Sequence, residues 1–170
     1  MQLRFDPAAD RLLWQLRTFG GELYPIWLTR RLLRQLWPLL QGVVTSAGIA
    51  RLMPHATLMP EAREMLSQAA RDRPLASAEF GKPFITEAVA RPLGVEPLLP
   101  VHFQLTHGTP GAGLVLELRE AAGRSLRLQL SDDLATALTR LLEPALAEAD
   151  WGLHAAPPEP AAPARPVTLN

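Results

Sequence analysis

Side chains able to do chemistry are sparse in this chain of 170 residues, and none of them forms a recognisable reaction motif. Cysteine is absent, which excludes disulfides, thiolate metal sites and cysteine nucleophiles. The four histidines, His55, His102, His107 and His154, lack the spacing of a metal-binding motif. The sequence also contains no glycine-rich phosphate loop and no Gly-x-Ser-x-Gly turn. We therefore expect neither a metal nor a cofactor.

Two adjacent carboxylates, Asp132 and Asp133, could in principle act as an acid and base pair. They follow Ser131, a good N-cap, and precede apolar residues at helical spacing. Acidic side chains are favoured in the first turn of a helix because the helix dipole is positive there. The pair is therefore interpreted as a helix start. An enzyme is the least favoured function, although a site assembled from distant residues leaves no sequence motif.

One face of a predicted hairpin is the feature that favours a binding function. The side chains that alternate with its core positions are Arg11, Leu13, Gln15, Arg17, Leu23, Pro25 and Trp27. This face is more apolar than a solvated sheet face, and exposed apolar patches mark interaction surfaces. Three further arginines stand at the start of the helix predicted to follow, at positions Arg30, Arg31 and Arg34.

Three interpretations of this face stay open. The middle of the chain could cover it within the same molecule. It could instead form a protein–protein or homodimer contact centred on Trp27, with Arg11 and Arg17 at the rim. It could also stack the bases of a single-stranded nucleic acid on Trp27 and Phe19, with the neighbouring arginines directed to phosphates.

An internal repeat defines the architecture. Residues 12–44 and 114–146 align without a gap at an offset of 102 positions. Apolar positions coincide, and so do the turn glycines Gly21 and Gly123 and the helix caps Thr29 and Ser131. Within each copy, period-two alternation predicts strands and period-3.6 spacing predicts the helix after the cap.

An additional alternating strand precedes each copy, at Leu3–Phe5 and from Val101 to Leu105. The sequence therefore predicts an α+β fold of two β-β-β-α repeats, each an antiparallel meander with a covering helix, in a pseudo-twofold relation. Pro38 and Pro144 predict a kink or break in the two helices, and Pro25 predicts an edge strand or a bulge. In outline, such repeated sheet-and-helix units resemble the Whirly and PUR single-strand-binding proteins, a resemblance that implies nucleic-acid binding.

The chain is expected to form a single domain over residues 1–153. Repeat one spans 1–47, a short helix and a Pro-rich wrapping segment span 48–100, and repeat two spans 101–153. The Pro- and Ala-rich tail, 154–170, has little to bury and is expected to be disordered. No apolar run is long enough for a signal peptide or a membrane span, so a cytoplasmic location is expected, and the Arg-rich composition fits a bacterial source.

Charge separates along the chain although its total is zero. Residues 1–51 carry a net charge of +4, and residues 101–150 carry −3. Opposite charges on one molecule favour contact between repeats or between copies. We expect a non-catalytic binding or assembly protein, a subunit or adaptor that self-associates as a dimer. Single-stranded nucleic-acid binding is the alternative, which the zero net charge disfavours.

Overall fold

Two three-stranded antiparallel sheets, each followed by a helix, make up the described part of the molecule. The computed structural model describes residues 1–52, 65, 84–108 and 113–153. The elements of the first repeat are β1 (Gln2–Asp6), β2 (Arg11–Arg17), β3 (Leu23–Thr29) and α1 (Arg30–Leu52). Those of the second are β4 (Pro100–His107), β5 (Leu114–Glu120), β6 (Ser125–Leu130) and α2 (Asp132–Ala149). The predicted α+β fold with two β-β-β-α repeats is confirmed.

Two of the expectations fall where the structure describes little or nothing. The short helix predicted within residues 48–100, for which the sequence places the start at Pro60, lies outside the described residues apart from Met65. The predicted disordered tail, 154–170, lies outside them completely.

The strands of the two sheets pair in the same register. Leu12 lies opposite Leu28 in the first sheet, and Leu114 lies opposite Leu130 in the second. All cross-strand pairs of the first sheet except those of Arg11 recur 102 residues later. An offset read from the sequence therefore reproduces the hydrogen-bonding register, because the same alternation selects the inward face of each strand in both copies.

The turn and cap residues also repeat as structure. Gly21 and Gly123 close the second turn of each repeat with φ values of 83° and 95°, in the left-handed region that glycine adopts without strain. The hydroxyls of Thr29 and Ser131 each accept a hydrogen bond of 3.2 Å from the N–H three residues further on. Each helix therefore begins at its predicted cap.

Both repeats contribute to a single core, and each helix packs on strands of both sheets. Helix α2 contacts its own β6 together with β1 and β2 of the first sheet, and α1 contacts its own β3 together with β4 of the second sheet. The sequence predicts one covering helix for each meander, but it does not predict the additional contact of each helix with the other repeat. Alternation shows which face is apolar, but it does not show which partner covers that face.

The apolar stripe of α1 points into this core as predicted. Its buried members are Leu32, Leu33, Leu36, Trp37, Leu40 and Val44. Helix α2 differs at two positions of its predicted stripe, because Leu134 is 46% exposed and Leu141 is half-buried outside the core. Neither Pro38 nor Pro144 breaks its helix: both prolines lie inside continuous helical segments.

The segment 84–99 connects the two repeats through backbone hydrogen bonds. Single parallel bridges join Ala90 to Glu22, just before β3, and Leu98 to Ile26 of β3. Strand β3, which contains Pro25, is an edge strand of the three-stranded sheet, as predicted. On the other repeat, the Arg124 guanidinium donates to the carbonyl oxygens of Leu93 and Glu96 at 2.9 and 3.1 Å. The segment is thus held on both sides, by main-chain bonds to repeat one and by Arg124 of repeat two.

Glu120 orients this arginine. Its carboxylate accepts hydrogen bonds from Arg124 Nε at 2.6 Å and Arg124 Nη2 at 2.8 Å, and from the Leu99 N–H at 3.2 Å. These donors favour the ionised form, so the hydrogen bond from Arg124, followed by that from Leu99, lowers the pKa of Glu120 below its ordinary value of 4.5.

Replacing Glu120 with Gln should reduce the free energy of unfolding at about pH 7, because a neutral amide cannot match the Arg124 charge. When folding lowers the pKa of a carboxyl group, its ionised form stabilises the folded protein at pH values above the pKa of the unfolded chain. That stabilisation is lost as the pH falls through the pKa of the folded protein. Urea unfolding should therefore show a difference between wild type and Glu120→Gln at about pH 7 that shrinks at about pH 3. Glu117→Gln is the control, since its partner Arg119 is 63% exposed. A difference that is the same at both pH values contradicts the prediction.

Candidate functional site

The outer face of the first sheet brings together the residues singled out from the sequence. Leu13 lies opposite Trp27, and Arg17 lies opposite Leu23, so these four side chains share one face as predicted. Arg11 lies two residues before Leu13 on the same strand and therefore also belongs to this face. The corresponding face of the second sheet carries Glu117 and polar neighbours, as a solvated face does.

Burial on this face differs from what an exposed apolar patch requires. Leu13 is 6% exposed and Leu23 is completely buried, although neither belongs to the shared core. Trp27 and Arg11 are half-buried, and only Arg17 is exposed. The expected exposed patch is therefore not formed by the two leucines, whose side chains are covered within the chain and inaccessible to a partner.

Part of this enclosure comes from the segment 84–99 at the edge of β3. The Trp27 N–H donates to the Leu98 carbonyl oxygen at 2.7 Å, and the Leu98 N–H donates to the Pro25 carbonyl oxygen at 2.9 Å. Leu98 itself is completely buried. Of the three interpretations of this face, burial and edge pairing favour the one in which the same chain covers it, at least around Leu23 and Pro25.

An exposed apolar group lies instead at the tip of the β2–β3 hairpin. Phe19 has a relative exposure of 114%, and Val89 is 83% exposed. The Val89 N–H donates to the Gly21 carbonyl oxygen at 3.0 Å, which places this valine against the turn that carries Phe19. The Arg17 guanidinium lies beside the same glycine. We call Arg17, Phe19 and Val89 the hairpin-tip patch.

The equivalent turn of the second repeat has no such patch. Ala121 occupies the position that matches Phe19, and Arg119 matches Arg17. The Arg119 guanidinium forms an ion pair with Glu117 at 2.6 Å. The apolar and cationic character of the tip is therefore specific to repeat one.

Three arginines at the start of α1 line a separate cleft of about 570 Å³. The described residues that line it are Arg30, Arg31, Arg34, Trp151, Gly152 and Leu153. None of the residues on the outer face of the first sheet lines it, so the structure divides the predicted site residues between two places. We call this second place the arginine cleft.

Trp151 holds one wall of the arginine cleft in place. Its indole Nε1 donates to the Asp10 carboxylate at 2.8 Å. Its ring meets Phe5 edge to face, with centroids 5.9 Å apart. The sequence analysis did not single out this tryptophan, and its position just beyond the end of α2 is the only sequence signal that could have drawn attention to it.

Within residues 1–52, 65, 84–108 and 113–153, no three His, Cys, Asp or Glu side chains are grouped closely enough to hold a metal ion. His102 and His107 lie on β4 and are exposed, and Asp132 and Asp133 lie in the first turn of α2 as predicted. No helix in the described part of the chain has the length and apolar character needed to cross a membrane.

Comparison with known proteins adds no family assignment: no family model, curated protein or solved structure matches this chain.

Alanine at Gly21 should destabilise the protein more than alanine at Gly123. Both positions have a left-handed backbone, where a side chain costs about 1–2 kcal/mol. A Cβ at Gly21 would also lie 2.9 Å from Val89 Cγ2, whereas a Cβ at Gly123 meets nothing within 4 Å. Urea denaturation of the two variants measures the difference. Equal losses would show that Val89 does not pack against the hairpin turn.

Proposed function

We propose that this chain is a non-catalytic binding and assembly protein that contacts a second copy of itself through the hairpin-tip patch. The observation that carries the proposal is the complete exposure of Phe19, a large aromatic side chain, beside Val89. Exposing an aromatic ring to water is unfavourable, and such rings are enriched at interface positions that contribute most of the binding energy.

The composition of the patch supports a protein partner. Phe19 supplies a rigid apolar anchor, Val89 enlarges the apolar surface, and Arg17 can make charged hydrogen bonds at the edge. Aromatic residues and arginine are enriched in protein interfaces, whereas lysine and glutamate are depleted. Two half-accessible residues, Arg11 and Trp27, can extend the contact along the sheet.

Charge supports a second copy as the partner. Residues 1–51, which include Arg17 and Phe19 of the patch, have a net charge of +4, and residues 101–150 have −3. Complementary charge accelerates association and selects the orientation of the partners. In the cell, we propose that the protein acts as a subunit or adaptor of a bacterial cytoplasmic assembly.

Single-stranded nucleic acid is the second candidate partner, which the exposure of Phe19 beside Arg17 favours. An exposed aromatic ring can stack on a base while an arginine contacts the phosphate. The zero net charge of the chain weakens this alternative. Fluorescence polarisation with a labelled oligonucleotide at about 50 and about 200 mM salt separates the candidates, since phosphate binding weakens steeply with salt.

An enzyme is the third candidate, and no described group of side chains favours it.

Replacing Phe19 with Ala should weaken self-association at least about 30-fold, the usual effect of truncating an aromatic residue at the centre of an interface. Light scattering on a dilution series measures this as a fall in mass towards that of the monomer. Thermal unfolding at low protein concentration should change little, because the Phe19 side chain is exposed within the chain. Val101→Ala is the matched control, since Val101 is 50% exposed on β4 of the other repeat.

A wild-type chain that stays monomeric at both low and high salt contradicts self-association. A dimer that Phe19→Ala and Val101→Ala leave equally intact places the contact elsewhere on the surface. Steep, salt-sensitive oligonucleotide binding that Phe19→Ala removes would replace the protein partner with the nucleic-acid alternative.

A further inference from the structure

We infer that the arginine cleft is a binding site for a small molecule that carries a phosphate group. Arg30, Arg31 and Arg34 lie within one helical turn of α1 and line a common cleft. The hairpin-tip patch contributes no residue to this cleft, so the inference does not depend on the proposed self-association.

The charge of the three arginines is uncompensated within the described residues. All three side chains are exposed, and none forms an ion pair or a hydrogen bond with a described residue. Like charges at spacings of three and four on a helix repel each other. A bound anion of two or more charges removes this repulsion, because guanidinium groups pair with phosphate oxygens through paired N–H donors.

The position of Arg30 and Arg31 adds to the unfavourable charge. They occupy the first turn of α1, where the positive end of the helix dipole disfavours cations, and that turn contains no acidic residue. The equivalent positions in the second repeat are Asp132 and Asp133, which the dipole favours. The two helix starts therefore carry opposite charges on the same backbone, and the arginines of the first line a cleft.

The other wall of the cleft is preorganised for a ligand. Trp151 is fixed by its hydrogen bond to Asp10 and its edge contact with Phe5, and it is 5% exposed. Gly152 follows with a φ of 69°, which turns the backbone immediately after the tryptophan. A ligand at this site therefore meets a wall that is already ordered, which reduces the entropy lost on binding.

Size favours a small molecule. A volume of about 570 Å³ falls within the range of small-molecule sites, about 300–1,000 Å³. Three arginines in one turn present their donors over a short distance, which suits one phosphate or diphosphate group better than the spaced phosphates of an extended strand. The apolar wall formed by Trp151 and Leu153 can contact the organic part of such a molecule.

Titration calorimetry of the full chain with inorganic pyrophosphate tests the site. Wild type should bind saturably with one molecule per chain, and Arg31→Gln combined with Arg34→Gln should weaken the affinity at least tenfold. The matched control is Arg4→Gln combined with Arg127→Gln, which removes the same charge from two exposed arginines on the sheets. Circular dichroism should show that both double variants keep the fold.

Three results would overturn the inference. The first is the absence of saturable heat when wild type is titrated with pyrophosphate, and the second is an equal loss of affinity in the control pair and the cleft pair. The third is sedimentation of the chain with vesicles containing phosphatidic acid while free pyrophosphate fails to bind, which would assign the arginines to a membrane surface. Because oligomeric mass is measured separately on the Phe19→Ala variant, failure of either proposal leaves the other testable.

Discussion

The contact of each helix with the first strand of the other repeat's sheet is the constraint on which the rest of this structure depends. Helix α2 lies on β1, and α1 lies on β4. A repeat of about 50 residues buries too small a share of its surface to be more than marginally stable alone, so neither repeat is expected to fold without the other. Each buried leucine of the two helices, such as Leu36 or Leu138, contributes about 1.5–3 kcal/mol through removal of apolar surface from water.

A duplicated backbone that keeps one register can carry different surfaces on its two copies. The inward positions of both sheets are apolar, because the shared core requires it. The outward positions and the turns are free of that requirement. There the first copy has Phe19 and Arg30 where the second has Ala121 and Asp132. The hairpin-tip patch and the arginine cleft therefore differ from the equivalent turn and helix start of the second repeat in their side chains, while the backbone fold is the same.

Local features of the fold could be predicted from the sequence, because alternation, turn glycines and caps act over a few residues. Contacts between distant segments could not be predicted from the sequence. Leu13 and Leu23 share the predicted face but are buried, since their enclosure depends on chain far along the sequence. Val101 fits the alternation of β4 yet is half exposed, because the register shifts between Pro100 and His102. The arginines of the cleft were predicted as binding residues, whereas the wall opposite them was not.

Native-state hydrogen exchange, followed amide by amide in increasing denaturant, tests the shared core most directly. If the helices, which contact both sheets, bind the repeats into one unit, the most protected amides of β2, β5, α1 and α2 should all exchange through a single opening with the same free energy and denaturant dependence. The account is contradicted if the amides of β5 and α2 exchange through a separate opening of lower free energy while those of β2 and α1 remain protected.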